Sequence, residues 1–360
     1  MQNNETPTPK LSALGSRVTD QWWRPDIFEG RTDALVRRAD MVKTLREFFD
    51  RRGYVEVDTP ALQLSPGMEP HLTAFETSLR ETGGDRRPIY LHTSPEFAMK
   101  KLLAAGMQRI FQLARVFRDG ERSARHHPEF AMLEWYRTGA GWRDIAEEAT
   151  EFVCAVCGPV VHLHDVSCDL TQPWEFLSVQ DAFERYTGID LLATVADPLN
   201  PDREMLCMHA DGLGVRTAET DTWEDIFFRI YLDWIEPQLG VGTATVLHSY
   251  PTSMAALARL SPRDARVSDR FEIFVCGLEL ANGYGELTDA AEQRRRFARM
   301  TEQRVAKGRT PYPVDEDFLA ALENGIPDCA GIALGFDRLV MLAAGAERIE
   351  DVLWAPVARG

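Results

Sequence analysis

Cysteine, long apolar runs and positive charge are all scarce in this chain. Six cysteines in 360 residues are too few for a disulfide framework. Cys154 and Cys157 form a lone C-x-x-C pair followed by His162, His164 and Cys168, without the second-half spacing of a zinc knuckle, so they read as reduced, packed thiols. No apolar run approaches a membrane span and no basic-then-apolar signal opens the sequence, so the expectation is a cytoplasmic chain with no membrane partner. Forty Lys and Arg face 56 Asp and Glu, a net charge of −16, which disfavours a protein built to grip a nucleic-acid backbone. A basic protein partner would suit it. Internal repeats and low-complexity linkers are also missing, so the economical reading is one large domain over 29–360, after a loose polar extension of 1–28 that Trp22 and Trp23 could dock.

The most informative segment present is 271–287, where Glu272, Glu279 and Glu286 recur at intervals of seven in an otherwise apolar run. Cys276-Gly277 reads as a tight turn between two strands. Phe274 then faces Glu279, and Glu272 lies diagonally from Glu279 on the same face, roughly 7–8 Å away. Two carboxylates so placed repel each other unless a cation sits between them, and hard oxygen ligands suit Mg²⁺. Strict alternation sends Glu286 to the other face, but a bulge or bend at Asn282-Gly283 could restore it. The alternative is a solvated strand edge with scattered glutamates.

Elsewhere, Leu35, Ala39, Val42, Leu45 and Phe49 recur at helical spacing up to Gly53. A strand over 54–60, a strand over 89–93 and a helix through Phe97, Met99, Leu102 and Leu103 follow. A long hairpin is predicted from strands 108–118 and 129–137, then a mainly helical, acidic stretch over 140–265 whose clearest helix is 223–235. The last pieces are the glutamate hairpin, an arginine-rich helix over 292–307 and the run 331–344. Strands cluster antiparallel, which makes the class α+β.

Arg118, at the base of the 119–128 loop, is placed to meet a phosphate with its planar fork. Phe130, Met132, Glu134 and Tyr136 share one strand face, and a carboxylate and a phenol there call for a binding pocket rather than plain core. Small residues lead through Gly335 into a helix that Asp337 can cap, with Arg338 in its first turn. A cation there opposes the helix dipole unless an anion binds at the same end.

Together these pieces resemble one family. Pro60 after a helix and strand, Phe117-Arg118 before a loop and strand, and Gly335-Phe-Asp-Arg338 before a helix look like the three signatures of class II aminoacyl-tRNA synthetases. Thr93-Ser-Pro-Glu96, the run from His126 to Glu134 and the run from Glu279 to Leu287 narrow the resemblance to the lysyl branch. It covers about 30–360. Only about 28 residues precede it, too few for the anticodon-binding barrel of lysyl-tRNA synthetases. Glu134-Trp-Tyr-Arg137, Pro327-Asp-Cys329 and Ala333, where lysyl-tRNA synthetases generally have glycine, resemble the stand-alone elongation factor P–lysine ligases.

The resemblance implies a class II catalytic core, an antiparallel sheet flanked by helices, with ATP and Mg²⁺. It implies activation of lysine or (R)-β-lysine as an adenylate and transfer to a lysine of elongation factor P, with no tRNA, by a homodimer formed through helix 35–49 and the strand ending at Pro60. Arg118 would hold the α-phosphate and Arg338 the γ-phosphate, while Glu272 and Glu279 would bind Mg²⁺. Glu286 and Tyr136 would take the side-chain ammonium and Glu96 the other amino group, with Ser94, Pro95 and Ala333 lining the pocket. Asp119, Gly120, Glu121, His127, Glu279, Leu280 and Gly335 would complete the ATP site. The motif-two loop departs from the pattern, reading Arg118-Asp-Gly-Glu121 where lysyl synthetases have Arg-Asn-Glu, and His127 stands where asparagine is usual. Glu121 is the candidate for the adenine edge. A truncated lysyl-tRNA synthetase and a non-catalytic paralogue are the competing readings. The retained Arg118, Arg338, Glu272 and Glu279 argue against the second.

Overall fold

The computed structural model describes residues 21–198 and 200–358, so most of the expected N-terminal extension lies outside the described residues. The chain opens with α1 (Pro25–Phe28) and α2 (Thr32–Asp50), then β1 (Val55–Glu56), β2 (Leu62–Gln63), β3 (Glu76–Arg80), β4 (Arg86–Leu91) and α3 (Glu96–Ala104). The long hairpin is β5 (Arg109–Phe117) and β6 (Glu129–Thr138), followed by α4 (Trp142–Val156). Next come β7 (Val160–Leu163), β8 (Val166–Asp169), β9 (Glu175–Ser178), α5 (Val179–Thr187), α6 (Arg203–Gly212), α7 (Trp223–Ile230) and β10 (Thr245–His248). The glutamate hairpin is β11 (Arg270–Val275) and β12 (Leu278–Gly285), and the chain closes with α8 (Ala290–Ala306), α9 (Glu316–Gly325), β13 (Cys329–Gly335) and α10 (Phe336–Ala344). No helix among the described residues is long and apolar enough to cross a membrane.

Eight strands form the central sheet in the order β1-β5-β6-β13-β12-β11-β10-β9. Its ladders are antiparallel except at the two ends, where β1 runs parallel to β5 and β9 to β10. The sheet is therefore mixed, not purely antiparallel. The strand expected over 54–60 shrinks to Val55–Glu56, since Pro60 cannot donate to a ladder. The strand expected over 89–93 belongs to a separate three-stranded sheet, β2-β4-β3. The stretch read as mainly helical contains four short strands, too brief to leave a periodic signal. The helix expected over 223–235 ends at Ile230 and continues as one π-helical turn, Tyr231–Ile235.

Period-two alternation divides the sheet into two faces. Ala131, Leu133 and Trp135 of β6, Phe271, Ile273 and Val275 of β11, and Ala330, Ile332 and Leu334 of β13 join Leu45 and Phe49 of α2, Phe152 of α4 and Val340 of α10 in the main core. Their alternating neighbours point the other way. That second face is walled on one side by the α5–α7 cluster, which packs on Leu247 and Phe274. On the other side stand α3, α8 and α9, which pack on Ile110 and Tyr136. The strip of sheet between the walls is floored by β6, β13, β12 and β11.

Cys276 and Gly277 adopt φ 54° and 68°, the doubly left-handed backbone of a two-residue hairpin turn, so the tight turn stands as read. Phe274 pairs with Glu279 across it. The bulge, however, is not at Asn282-Gly283. Ile273 pairs with Ala281 while Phe274 pairs with Glu279, which leaves Leu280 as the extra residue. Leu280 and Ala281 consequently both face the core. The inversion carries Asn282, Tyr284 and Glu286 onto the face already occupied by Glu272 and Glu279.

Candidate active site

Register lines the exposed strip with rows of side chains. Glu134, Ala333, Asn282 and Glu272 lie side by side across β6, β13, β12 and β11, and Tyr136, Gly331, Tyr284 and Arg270 form the next row. Gly331 and Gly335, on the same face of β13, mark the two ends of the strip, about 13 Å apart at ordinary strand rise. One end is acidic and the other basic.

At the acidic end Ser94 donates to Glu134 Oε1 at 2.6 Å and Tyr136 donates its hydroxyl to Glu134 Oε2 at 2.8 Å. Ser94 also accepts the Glu96 N–H, which fixes the turn through Pro95 into α3. Burial pushes Glu134 up to about 8, helped by the Glu96 charge and opposed by those two hydrogen bonds. Glu286 is 2% exposed and burial raises it to about 7 against the pull of Lys100. Its Oε1 has no hydrogen-bond partner. Gly331 lets both side chains lie directly on the strand: a Cβ would fall 2.2 Å from Tyr136 Cδ1 and 2.8 Å from Glu286 Oε1. Asn282 Oδ1, buried beside them, is also unpartnered. Ala333 packs its methyl against Ala114, Val116, Phe130 and Met132 at the floor.

The residue missing from the sequence reading is Lys100. Its ammonium lies 2.5 Å from Glu96 Oε1 and 2.5 Å from Glu286 Oε2. A signal existed: Lys100 follows Phe97 by three residues and Glu96 by four, on the buried stripe of an otherwise apolar helix. A lysine on that stripe needs a carboxylate partner.

At the basic end Arg338 donates to the Glu279 carbonyl at 2.8 Å and to His126 Nε2 at 2.7 Å, and its guanidinium lies 3.8 Å from Glu279 Oε2. Burial, with the Arg338 and Arg118 charges, presses His126 down to about 4, so it is the neutral acceptor that Arg338 requires. Arg118 stacks 5.2 Å over the Phe130 ring and keeps its Nε unpartnered, with Glu121 Oε2 at 3.9 Å. Asp119 donates its N–H to the Thr73 carbonyl and Gly120 turns the chain at φ 80°.

His127 does not join this group. Its Nδ1 donates to the Glu129 carbonyl at 2.6 Å and its Nε2 accepts the Val357 N–H at 3.2 Å. Leu280 is buried in the main core, so only its backbone is left for the site.

The capping of the last helix also differs from the sequence reading. Gly335 is the N-cap of α10 and no side chain caps the helix. Asp337 turns inward, 1% exposed, pairs with Arg38 at 2.5 Å and accepts the Ala131 N–H at 2.8 Å. A buried arginine and a backbone donor outcompete the exposed cap, and they tie α10 to α2 and β6. The uncapped first turn of α10, with Arg338 and Arg118, is a ready seat for a polyanion.

Glu272 and Glu279 do share the site face, but Glu272 already has company. Arg270 donates to its Oε1 at 2.6 Å and Tyr250 to its Oε2 at 2.6 Å. Burial holds it up at about 6, with Arg270 opposing and the Glu279 charge adding. Among the described residues no three His, Cys, Asp or Glu gather as a ready-made metal cluster. Two carboxylates suffice for Mg²⁺ when phosphate oxygens and water supply its other ligands, and this donor set fits that case.

A mixed sheet with one face packed on helices, an arginine just past the end of β5 in the β1–β5–β6 unit and a glycine-led helix bearing another arginine together define a class II synthetase-type catalytic core. The chain belongs to the class II tRNA synthetases (D, K and N), whose family model matches residues 28–359, and within them it is a member of the elongation factor P–(R)-β-lysine ligase family. The elongation factor P–(R)-β-lysine ligase of Proteus mirabilis (strain HI4320) is 42% identical over 347 residues, 96% of this chain and 99% of that protein. Those of Klebsiella pneumoniae (strain 342) and Pectobacterium atrosepticum (strain SCRI 1043) are 41% and 40% identical, over 89% and 94% of this chain and 93% and 98% of theirs.

Proposed function

We propose that the chain activates lysine or (R)-β-lysine with ATP and transfers it to a lysine side chain of elongation factor P. One observation carries the reading: the polarity of the strip, two buried carboxyl groups (Glu134, Glu286) and the largely enclosed Glu96 against one ammonium at one end and Arg118, Arg338 and an uncapped helix at the other. A molecule with two ammonium groups offsets the surplus negative charge, and its carboxylate is then directed along β13 toward the phosphates. Glu286 Oε1 takes the side-chain ammonium and Glu96 the other amino group. Ala333 sets the depth of the floor.

With Arg118 on the α-phosphate and Arg338 on the γ-phosphate, the amino-acid carboxylate attacks the α-phosphorus in line and pyrophosphate leaves. Positioning and charge stabilisation carry such a step, and no protein nucleophile is required. Glu272 and Glu279 would hold Mg²⁺, which supplies further neutralisation of the phosphate charge. The unprotonated acceptor amine then attacks the adenylate carbonyl and AMP departs. Glu121, beside Arg118, remains the candidate for the adenine edge. The net charge of −16 suits a basic protein acceptor better than tRNA, and free thiols at all six cysteines fit the cytoplasm.

The test is mass spectrometry of elongation factor P after incubation with the protein, ATP and lysine or (R)-β-lysine. The expected result is one added lysyl mass on a lysine of the acceptor. Charging of bulk tRNA, with the acceptor unmodified, would overturn the reading.

A further inference from the structure

We propose that Lys100 is a positioning residue for amino-acid recognition: its ammonium clamps Glu96 and Glu286 so that one oxygen of Glu286 stays fixed and without a charged partner for the substrate. The inference rests on the pocket reading above and deepens it. Lys100 is 1% exposed, and its two contacts join α3, in one wall of the pocket, to Glu286, which follows β12 of the floor. The contacts are unequal in consequence. Glu286 Oε2 has the Lys100 ion pair, although neither carboxylate oxygen accepts a hydrogen bond, whereas Oε1, equally buried, has no charged partner and lies against the Gly331 backbone beside the Tyr136 ring. A salt bridge needed only to hold the fold together would be expected to satisfy the carboxylate on both sides. This one stops halfway and leaves a charged acceptor in a dry site, a state that is costly unless a ligand completes it.

The clamp also sets the charge of the site. Without Lys100, Glu96 and Glu286 stand in one enclosed space with Glu134 beside them, and burial with mutual repulsion would drive one of them to bind a proton. A protonated, unanchored carboxyl is a poor seat for an ammonium. The substrate therefore meets a carboxyl group whose position is set, and whose ionisation is favoured, by a residue it need not touch.

Steady-state ATP–pyrophosphate exchange with lysine and with (R)-β-lysine tests this in the full chain, using Lys100→Met, Lys100→Arg and Lys100→Ala with and without added methylammonium. Lys100→Met should raise the amino-acid KM roughly a hundredfold, as truncation of one buried charge partner does, with the ATP KM within about threefold of wild type. Methylammonium should restore Lys100→Ala at least tenfold and leave wild type unchanged, a rescue that lost packing alone would not give. An unchanged or lower amino-acid KM in folded Lys100→Met, equal rises in both KM values, or absence of rescue would overturn the role of Lys100 while leaving the site reading intact. Should Lys100→Met not fold, Lys100→Ala and its rescue decide. Wild-type protein without any lysine-dependent exchange would overturn both.

Discussion

Replacing the side-chain ammonium of lysine with a methyl group, as norleucine does, probes the acidic end of the strip directly. Glu286 is 2% and Tyr136 3% exposed, so no water layer stands ready to replace the missing charge. The Tyr136 hydroxyl is committed as a donor to Glu134, and Lys100 serves only Oε2 of Glu286. A methyl group set against Oε1 leaves a buried carboxylate oxygen facing hydrocarbon. Removing one partner of a buried pair costs about 3–5 kcal/mol, and the retained Lys100 contact favours the lower end. About 3 kcal/mol corresponds to a roughly 150-fold loss in kcat/KM. The assay is ATP–pyrophosphate exchange with each amino acid under identical conditions. Glu286→Gln should lower lysine activation and compress the discrimination to less than about tenfold, since a neutral amide no longer distinguishes the two ends so strongly. Activation of norleucine within tenfold of lysine by wild type, or full discrimination in Glu286→Gln, would refute the assignment.

Three further outcomes follow from the geometry. Glu279→Gln removes a half-exposed charge and little volume, so adenylate formation should fall at least a hundredfold while the melting temperature stays within about 2 °C; undiminished pyrophosphate exchange would falsify the Mg²⁺ assignment. Glu134 is raised to about 8 in the fold, so the stability associated with its protonated form is fully present below the unfolded value near 4.5 and is lost as pH rises through 8. The melting temperature of the substrate-free protein should therefore decline between pH 5 and 8, and Glu134→Gln should flatten that decline; parallel curves for the two proteins would count against it. We also propose a homodimer through α2 and β1, because β1 is an edge strand whose Val55 is 51% exposed; sedimentation at micromolar concentration should give twice the 40.6 kDa chain mass, and a monomer would exclude it.

Much of this protein was determined by the sequence on its own. The Leu35–Phe49 stripe, the paired strands around the 119–128 loop, the Cys276-Gly277 turn and the Gly335 entry into a helix are local patterns, each set by residues within a few positions of one another. The motif residues could be named because their order along the chain resembles a family whose signatures lie on strands and helix starts. Tertiary structure decided the rest, for two physical reasons. Side-chain alternation has a phase, and one extra residue reverses it for everything downstream. The bulge at Leu280 brings Glu286 to the site and carries no local mark separating it from the equally plausible Asn282-Gly283. Charge pairing, in turn, ignores chain distance. Lys100 meets Glu286, Arg38 meets Asp337 and His126 meets Arg338 across gaps that no periodicity spans, and burial makes the first two pairings obligatory. Asp337 therefore became a buttress instead of a cap, His127 a structural partner of Val357, and Lys100 a member of the pocket.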